Sequence, residues 1–173
     1  MFMTRRYGKS LRGMRNAMRY ASSQYNRNSQ IYIHESPNGY KYSFSPKENS
    51  IPIGVSKNLQ SINPDNFKVN PQFVDILQDT LRKHTYNDFT FVMEAGVNAS
   101  AYMAIYDLRE IPKYSRIPEV ENILGYVQVD VNGKMVPDSY ERNELYRICN
   151  GTAGLPKLSE YLYPLIQEQC ESK

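Results

Sequence analysis

The chain has 173 residues, 21 Lys or Arg against 18 Asp or Glu, a net charge of +3, 15 Tyr and no Trp. It contains no apolar run of about eighteen residues, which excludes a membrane-spanning helix, and is long enough to bury a hydrophobic core. Its two cysteines, Cys149 and Cys170, match neither the paired spacing of a zinc site nor a disulfide framework and read as buried thiols.

The charge is unevenly placed. Arg5, Arg6, Lys9, Arg12, Arg15 and Arg19 precede the first acid, Glu35. Met3, Tyr7, Leu11, Met14 and Met18 recur at helical spacing, so the opening segment is expected to be an amphipathic, cationic helix. That is the pattern of a mitochondrial presequence, which predicts import into the matrix and the import machinery as a first partner. Small residues after Arg19 and Tyr20 mark a cleavage point after Tyr20, with a longer leader reaching Gln30 as the alternative. The rival readings of this segment are a retained arm that binds nucleic acid and a helix lying on anionic lipid. Residues 21–173 carry 15 basic and 18 acidic groups, a net charge of −3. A mildly acidic body with no basic cluster denser than Arg82-Lys83-His84 makes nucleic acid an unfavoured partner.

Segments 31–35 and 40–44 alternate around Asn38-Gly39 and predict a hairpin. The polar stretch 45–70, broken by Pro46, Pro52 and Pro64, predicts a loop wrapped over the surface. Asn70 and Pro71 are a cap and a first-turn proline, opening a helix with the stripe Phe73, Ile76, Leu77 and Leu81 and an end near His84. Strands are expected at 89–95, 101–108 and 123–131. Asn132-Gly133 is a strong hairpin turn, a return begins at 134–136, and 145–149 is expected to be a further strand. A terminal helix is expected over 155–169, kinked or divided at Pro164. These elements predict an α+β domain: an antiparallel sheet with hairpins, covered on one face by an internal and a C-terminal helix. The division is a leader over 1–30, a hairpin with its wrapping loop over 31–70, and the α+β core over 71–170.

With Phe89, Phe91, Met93, Met103, Ile105, Val127 and Val129 turned toward the helices, the opposite face would carry Val92, Tyr102, Tyr106, Tyr126 and Leu145 among Glu94, Gln128 and Arg147. Tyrosine joins contact area to a wet end, so these five form a candidate partner face; the bland alternative is that the N-terminal hairpin and the 45–70 loop cover them. Candidate chemistry is thin. His34 and His84 lack metal spacing, and no phosphate-cradling or nucleophile motif occurs. Asp130 opens a segment like a calcium loop whose later ligand positions are wrong. The sequence thus yields no catalytic, cofactor or metal residue. One rival to a binding role remains, a small enzyme or ligand binder with a pocket at the sheet end near Glu94, Asp107, Arg109 and Glu110.

Asp107-Leu108-Arg109, Tyr114-Ser115-Arg116-Ile117, the run from Ile123 to Asp130 with Gly133, Leu145-Tyr146-Arg147-Ile148 and Gly154-Leu155 stand in order along the chain. Together they resemble a pattern in short, uncharacterised fungal mitochondrial proteins, across about residues 70–168. The resemblance implies fungal origin and a mitochondrial location, and brings no activity, cofactor or site residue. The reading as a whole is a non-enzymatic matrix protein that binds another protein, as an accessory or assembly factor for respiratory or translation machinery.

Overall fold

The computed structural model describes residues 22–59, 61–110, 117–151 and 153–172; Arg5, Arg6, Lys9, Arg12, Arg15 and Arg19 lie outside them. The described residues open on a five-stranded antiparallel sheet, β1 (Ser22–Gln24), β2 (Tyr32–Ser36), β3 (Gly39–Ser43), β4 (Gly54–Ser56) and β5 (Phe67–Val69), paired in sequence order. The expected hairpin is β2–β3, with Ser36 opposite Gly39. Gly39 has φ +134°, and a Cβ there would lie 2.6 Å from the Ser56 carbonyl, so only glycine fits. The expected loop over 45–70 is a correction. Pro52 and Pro64 precede two three-residue strands, β4 and β5, which extend the sheet rather than wrap it.

The next element is α1 (Pro71–His84). Asn70 Oδ1 accepts from the Gln72 amide at 3.1 Å, while its Nδ2 donates to the Pro52 carbonyl at 3.0 Å, so the cap also anchors the helix to the sheet. Phe73, Ile76, Leu77 and Leu81 are buried as their spacing predicts. The chain then makes a short 3₁₀ turn over Thr85–Asn87 and enters α2 (Phe89–Ala95), where a strand was expected. Asp88 decides this: its carboxylate accepts from the Thr90 amide at 3.0 Å, and Phe91 and Ala95, four apart, are the buried pair.

A second, three-stranded antiparallel sheet follows, with β6 (Tyr102–Tyr106), β7 (Ile123–Gln128) and β8 (Glu141–Arg142) in that order. The Asn132-Gly133 turn forms as expected, with Gly133 at φ +74° and Val129 bridged to Met135. Asp130 Oδ1 accepts the Asn132 and Lys134 amides at 2.8 and 2.9 Å, so its carboxylate serves the turn. Residues 145–149 are not a strand; β8 takes the edge, and 145–149 run on as an irregular segment. The terminal helix is shorter than expected. It is α3 (Leu162–Glu171), which places Pro164 in its first turn, where a missing N–H costs nothing.

The class is α+β, with antiparallel sheets and both an internal and a C-terminal helix. One core joins all of it. It runs from Tyr25 to Cys170, through Tyr42, Phe44, Phe73, Leu77, Phe91, Ile105, Val127 and Ile166, with no break near residue 70. Tyr25 is 6% exposed and Asn28 Nδ2 donates to the Pro156 carbonyl at 2.7 Å, so residues 22–30 belong to the folded body.

Candidate functional site

The charged residues expected at the sheet end do not converge. Glu94, on α2, accepts from the Tyr106 hydroxyl at 3.1 Å; burial holds its carboxyl above the ordinary range, against that bond. Glu110 accepts from Asn122 Nδ2 at 3.1 Å. Asp107 and Arg109 form a separate unit just past β6. Their side chains are 0% and 2% exposed and meet at 2.7 Å. Asp107 Oδ2 also accepts from the Tyr146 hydroxyl at 3.0 Å, and its Oδ1 from the Arg109 amide at 3.1 Å.

Arg109 spends the rest of its guanidinium on backbone. Nη1 donates to the Ile148 and Gly154 carbonyls at 2.9 and 2.7 Å, and Nη2 to the Arg147 carbonyl. Four of its five N–H groups are thereby used, while Nε is buried with no hydrogen-bond partner among the described residues and the group lies 5.5 Å from the Tyr146 ring centre. This explains why 145–149 do not form a strand: the carbonyls of Arg147 and Ile148 are turned to Arg109 rather than to a neighbouring strand. Burial pushes the Asp107 carboxyl up to about 6, with Arg109 and Tyr146 opposing it. Burial, then the Asp107 charge, raise the Tyr146 hydroxyl well above its usual value. The arrangement is a buried clamp that fixes Tyr146, Arg147, Ile148 and Gly154 to the end of β6.

Two cavities border the clamp. One, of about 380 Å³, is lined by Tyr25, Arg27, Asn28, Arg109, Leu155 and Lys157 among others. The other, of about 300 Å³, lies between β5, α1 and the clamped segment and includes Phe67, Val74, Gln78, Arg142, Tyr146 and Cys149. Burial raises the Cys149 thiol. His34 is buried with Nε2 2.9 Å from the Ser45 carbonyl oxygen, and His84 closes α1. Among the described residues no group of three His, Cys, Asp or Glu is placed to hold a metal, and no helix is long and apolar enough to cross a membrane.

The five residues of the expected partner face divide. Tyr102 stands opposite Gln128 and Ala104 opposite Tyr126, so Tyr102 and Tyr126 do share one face of the β6–β7 pair. Tyr102 is 62% exposed; Tyr126 is half-buried. Tyr106 is also half-buried, its ring 5.8 Å from Phe91 and its hydroxyl on Glu94. Val92 and Leu145 are exposed but stand on α2 and on the clamped segment, not on the sheet.

What the alternating reading missed is the outer side of α2. At 100° per residue Phe89, Val92 and Met93 fall on one side, opposite Phe91 and Ala95. Phe89 is 73% exposed and Met93 61%, though both were expected in the core. At the end of α2, Gly96 packs against Gly133, and the Ser100 amide donates to the Asp130 carbonyl at 3.0 Å. The exposed Val97 and Val131 flank these contacts. The available signal was Asp88, a helix cap immediately before the apolar run.

No family model matches the chain, and no curated protein or solved structure matches it either.

Proposed function

We propose that the chain is a non-enzymatic mitochondrial matrix protein that acts by binding another protein, as an accessory or assembly factor for respiratory or translation machinery. The observation that carries the binding role is the apolar outer side of α2. Phe89, Val92 and Met93 face solvent on a helix whose other side, Phe91 and Ala95, is packed. A large apolar side chain left in water forgoes about 1.5–3 kcal/mol of burial, and a cluster of them marks an interaction surface. The location rests on the basic, acid-free opening segment, with a leader ending near Tyr20 rather than Gln30, since Tyr25 and Asn28 are packed into the core.

The test is a native pull-down from purified mitochondria with a C-terminal tag, reading the bait's N-terminus by mass spectrometry. A bait starting near Ala21 with defined co-purifying proteins supports the reading. Phe89→Asp with Met93→Asp should keep the wild-type melting temperature and lose those proteins. Retention of every partner by the double variant overturns the face. A bait recovered outside mitochondria and beginning at Met1 overturns the address.

A further inference from the structure

We infer that the cavity between β5, α1 and the clamped segment binds a small monocarboxylate with an apolar body. Its volume, about 300 Å³, stands at the lower end of the usual small-molecule range. Pro64, Phe67, Val69, Val74, Ile148 and Cys149 give it a largely apolar lining. Burial raises the Cys149 thiol above its ordinary value, so this side chain adds apolar surface rather than charge. Hydrocarbon laid against these groups leaves water, and that burial is the main source of affinity.

The polar lining selects the head group. Asn143 spends its amide nitrogen on the Val120 and Ile123 carbonyls at 2.7 and 2.8 Å, and the Tyr146 hydroxyl is spent on Asp107. Arg142 and Arg147 remain. Both are exposed while Phe67, Ile148 and Cys149 are buried, so the two guanidiniums stand at the mouth. Arg142 Nε lies 3.4 Å from Glu144, and Arg147 Nε lies 3.2 Å from Glu121. Neither glutamate lines the cavity. Exposed pairs of this length contribute little, and they occupy only the Nε edge. The Nη groups suit the two oxygens of a carboxylate through charge-assisted hydrogen bonds. The two ion pairs cancel in charge, so the mouth favours a monoanion over a phosphate dianion. A ligand ammonium would meet donors alone.

The walls are fixed by bonds that need no ligand. On one side Arg109 holds the Arg147 and Ile148 carbonyls, and the Arg147 amide donates to the Glu121 carbonyl at 3.0 Å. These anchors, with those of Asn143, belong to the β6–β7 side of the molecule. They keep the clamped segment from collapsing onto β5 and α1. On the other side Phe67 belongs to β5, paired with β4, and packs edge-on against Tyr42 at 5.7 Å. Val74 stands in the first turn of α1, whose Asn70 cap is tied to the Pro52 carbonyl. Walls set in advance lower the ordering cost of binding, and a ligand body restores dispersion contacts that an open apolar cavity forgoes.

The experiment is calorimetric and methyl-NMR titration of the full chain with octanoate, octanol and octylamine, which share one body and differ in head group. Octanoate should bind at least about tenfold more tightly than octanol, and octylamine should not bind. Methyl signals of Val69, Val74 and Ile148 should shift, while those of Leu155 in the other cavity and of Val92 on α2 should not. Arg142→Gln with Arg147→Gln, at exposed side chains and checked for an unchanged melting temperature, should bring octanoate down to the affinity of octanol. Either single substitution, with a several-fold loss, serves if the double variant melts early. Absence of octanoate binding, equal binding of octanol, undiminished octanoate affinity in the arginine variants, or shifts at Val92 or Leu155 in place of Val69 and Val74 would each overturn the assignment. None of these outcomes depends on whether α2 docks a protein.

Discussion

Ser159 donates its hydroxyl hydrogen to Asp88 Oδ2, and each of these two residues also serves the start of a helix. Asp88 Oδ1 takes the Thr90 amide of α2, and Ser159 Oγ takes the Leu162 amide of α3 at 3.0 Å. Two helix starts therefore share one buried polar joint, made by residues seventy-one positions apart.

Asp88→Ala and Ser159→Ala should each destabilise the protein by about 1–3 kcal/mol, through a lost cap and a stranded buried partner. The double variant should cost clearly less than the sum, because the second change removes a group already left unpaired. Urea unfolding of the three variants measures this; strict additivity would show that the joint carries no coupling.

Arg109→Lys should be as damaging as a loss of charge, on the order of 3 kcal/mol. An ammonium lacks the planar fork that reaches Asp107 and three carbonyls at once. The checks are the melting temperature and the amide exchange of 146–154, which should rise when those carbonyls lose their donor. A variant as stable as wild type would mean that the clamp is dispensable.

Asp107 gives the protein a pH signature. Its carboxyl is raised from 3.8 to about 6, chiefly by burial. The folded state therefore holds this proton more tightly than the unfolded state does. The associated stability is fully present below 3.8 and is lost as pH rises through about 6. Carbon-13 NMR of the aspartate carboxyls should find one group with its midpoint near 6; a midpoint at or below 3.8 would show that the Arg109 pair outweighs burial.

Gly125 and Gly151 make a contrasting pair. A Cβ on Gly125 would meet the Glu141 carbonyl at 2.5 Å and the Tyr140 ring at 2.6 Å. Gly125→Ala should cost at least about 1–3 kcal/mol, since the obstruction is backbone and a buried ring. Gly151→Ala meets only Pro64, at 3.8 Å, and should fall within about 0.5 kcal/mol of wild type. Thermal unfolding of both variants decides it.

The elements legible in sequence were those whose signals are local. Asn70-Pro71 and the stripe to Leu81 announced α1, and the turns at Asn38-Gly39 and Asn132-Gly133 announced their hairpins. The failures have physical reasons. Phe89, Phe91 and Met93 alternate like a buried strand, but in a seven-residue helix the same residues divide between core and solvent. β4 and β5 are too short to show a period, and exist because β3 offers an open edge. Of the four charged residues expected to gather at the sheet end, Glu94, Asp107, Arg109 and Glu110, only Asp107 and Arg109 meet. Their acceptors at Arg147, Ile148 and Gly154 lie 38 to 45 positions away and are backbone atoms, which no side-chain pattern reveals.

The C-terminal helix is stitched to the segment that follows β3. The Ile51 amide donates to the Cys170 carbonyl at 2.9 Å, Ser45 and Lys47 both hold Glu171, and the Tyr163 hydroxyl donates to the Phe44 carbonyl at 3.0 Å. On a ribosome the first sheet emerges long before its cover does. Phe44 and Phe73, which pack against each other, wait for Tyr163 and Ile166 to arrive. Contacts of this sequence separation form late and slowly. The nascent chain thus keeps an apolar flank open until its last turn is made, which is the interval in which a holding chaperone would find it.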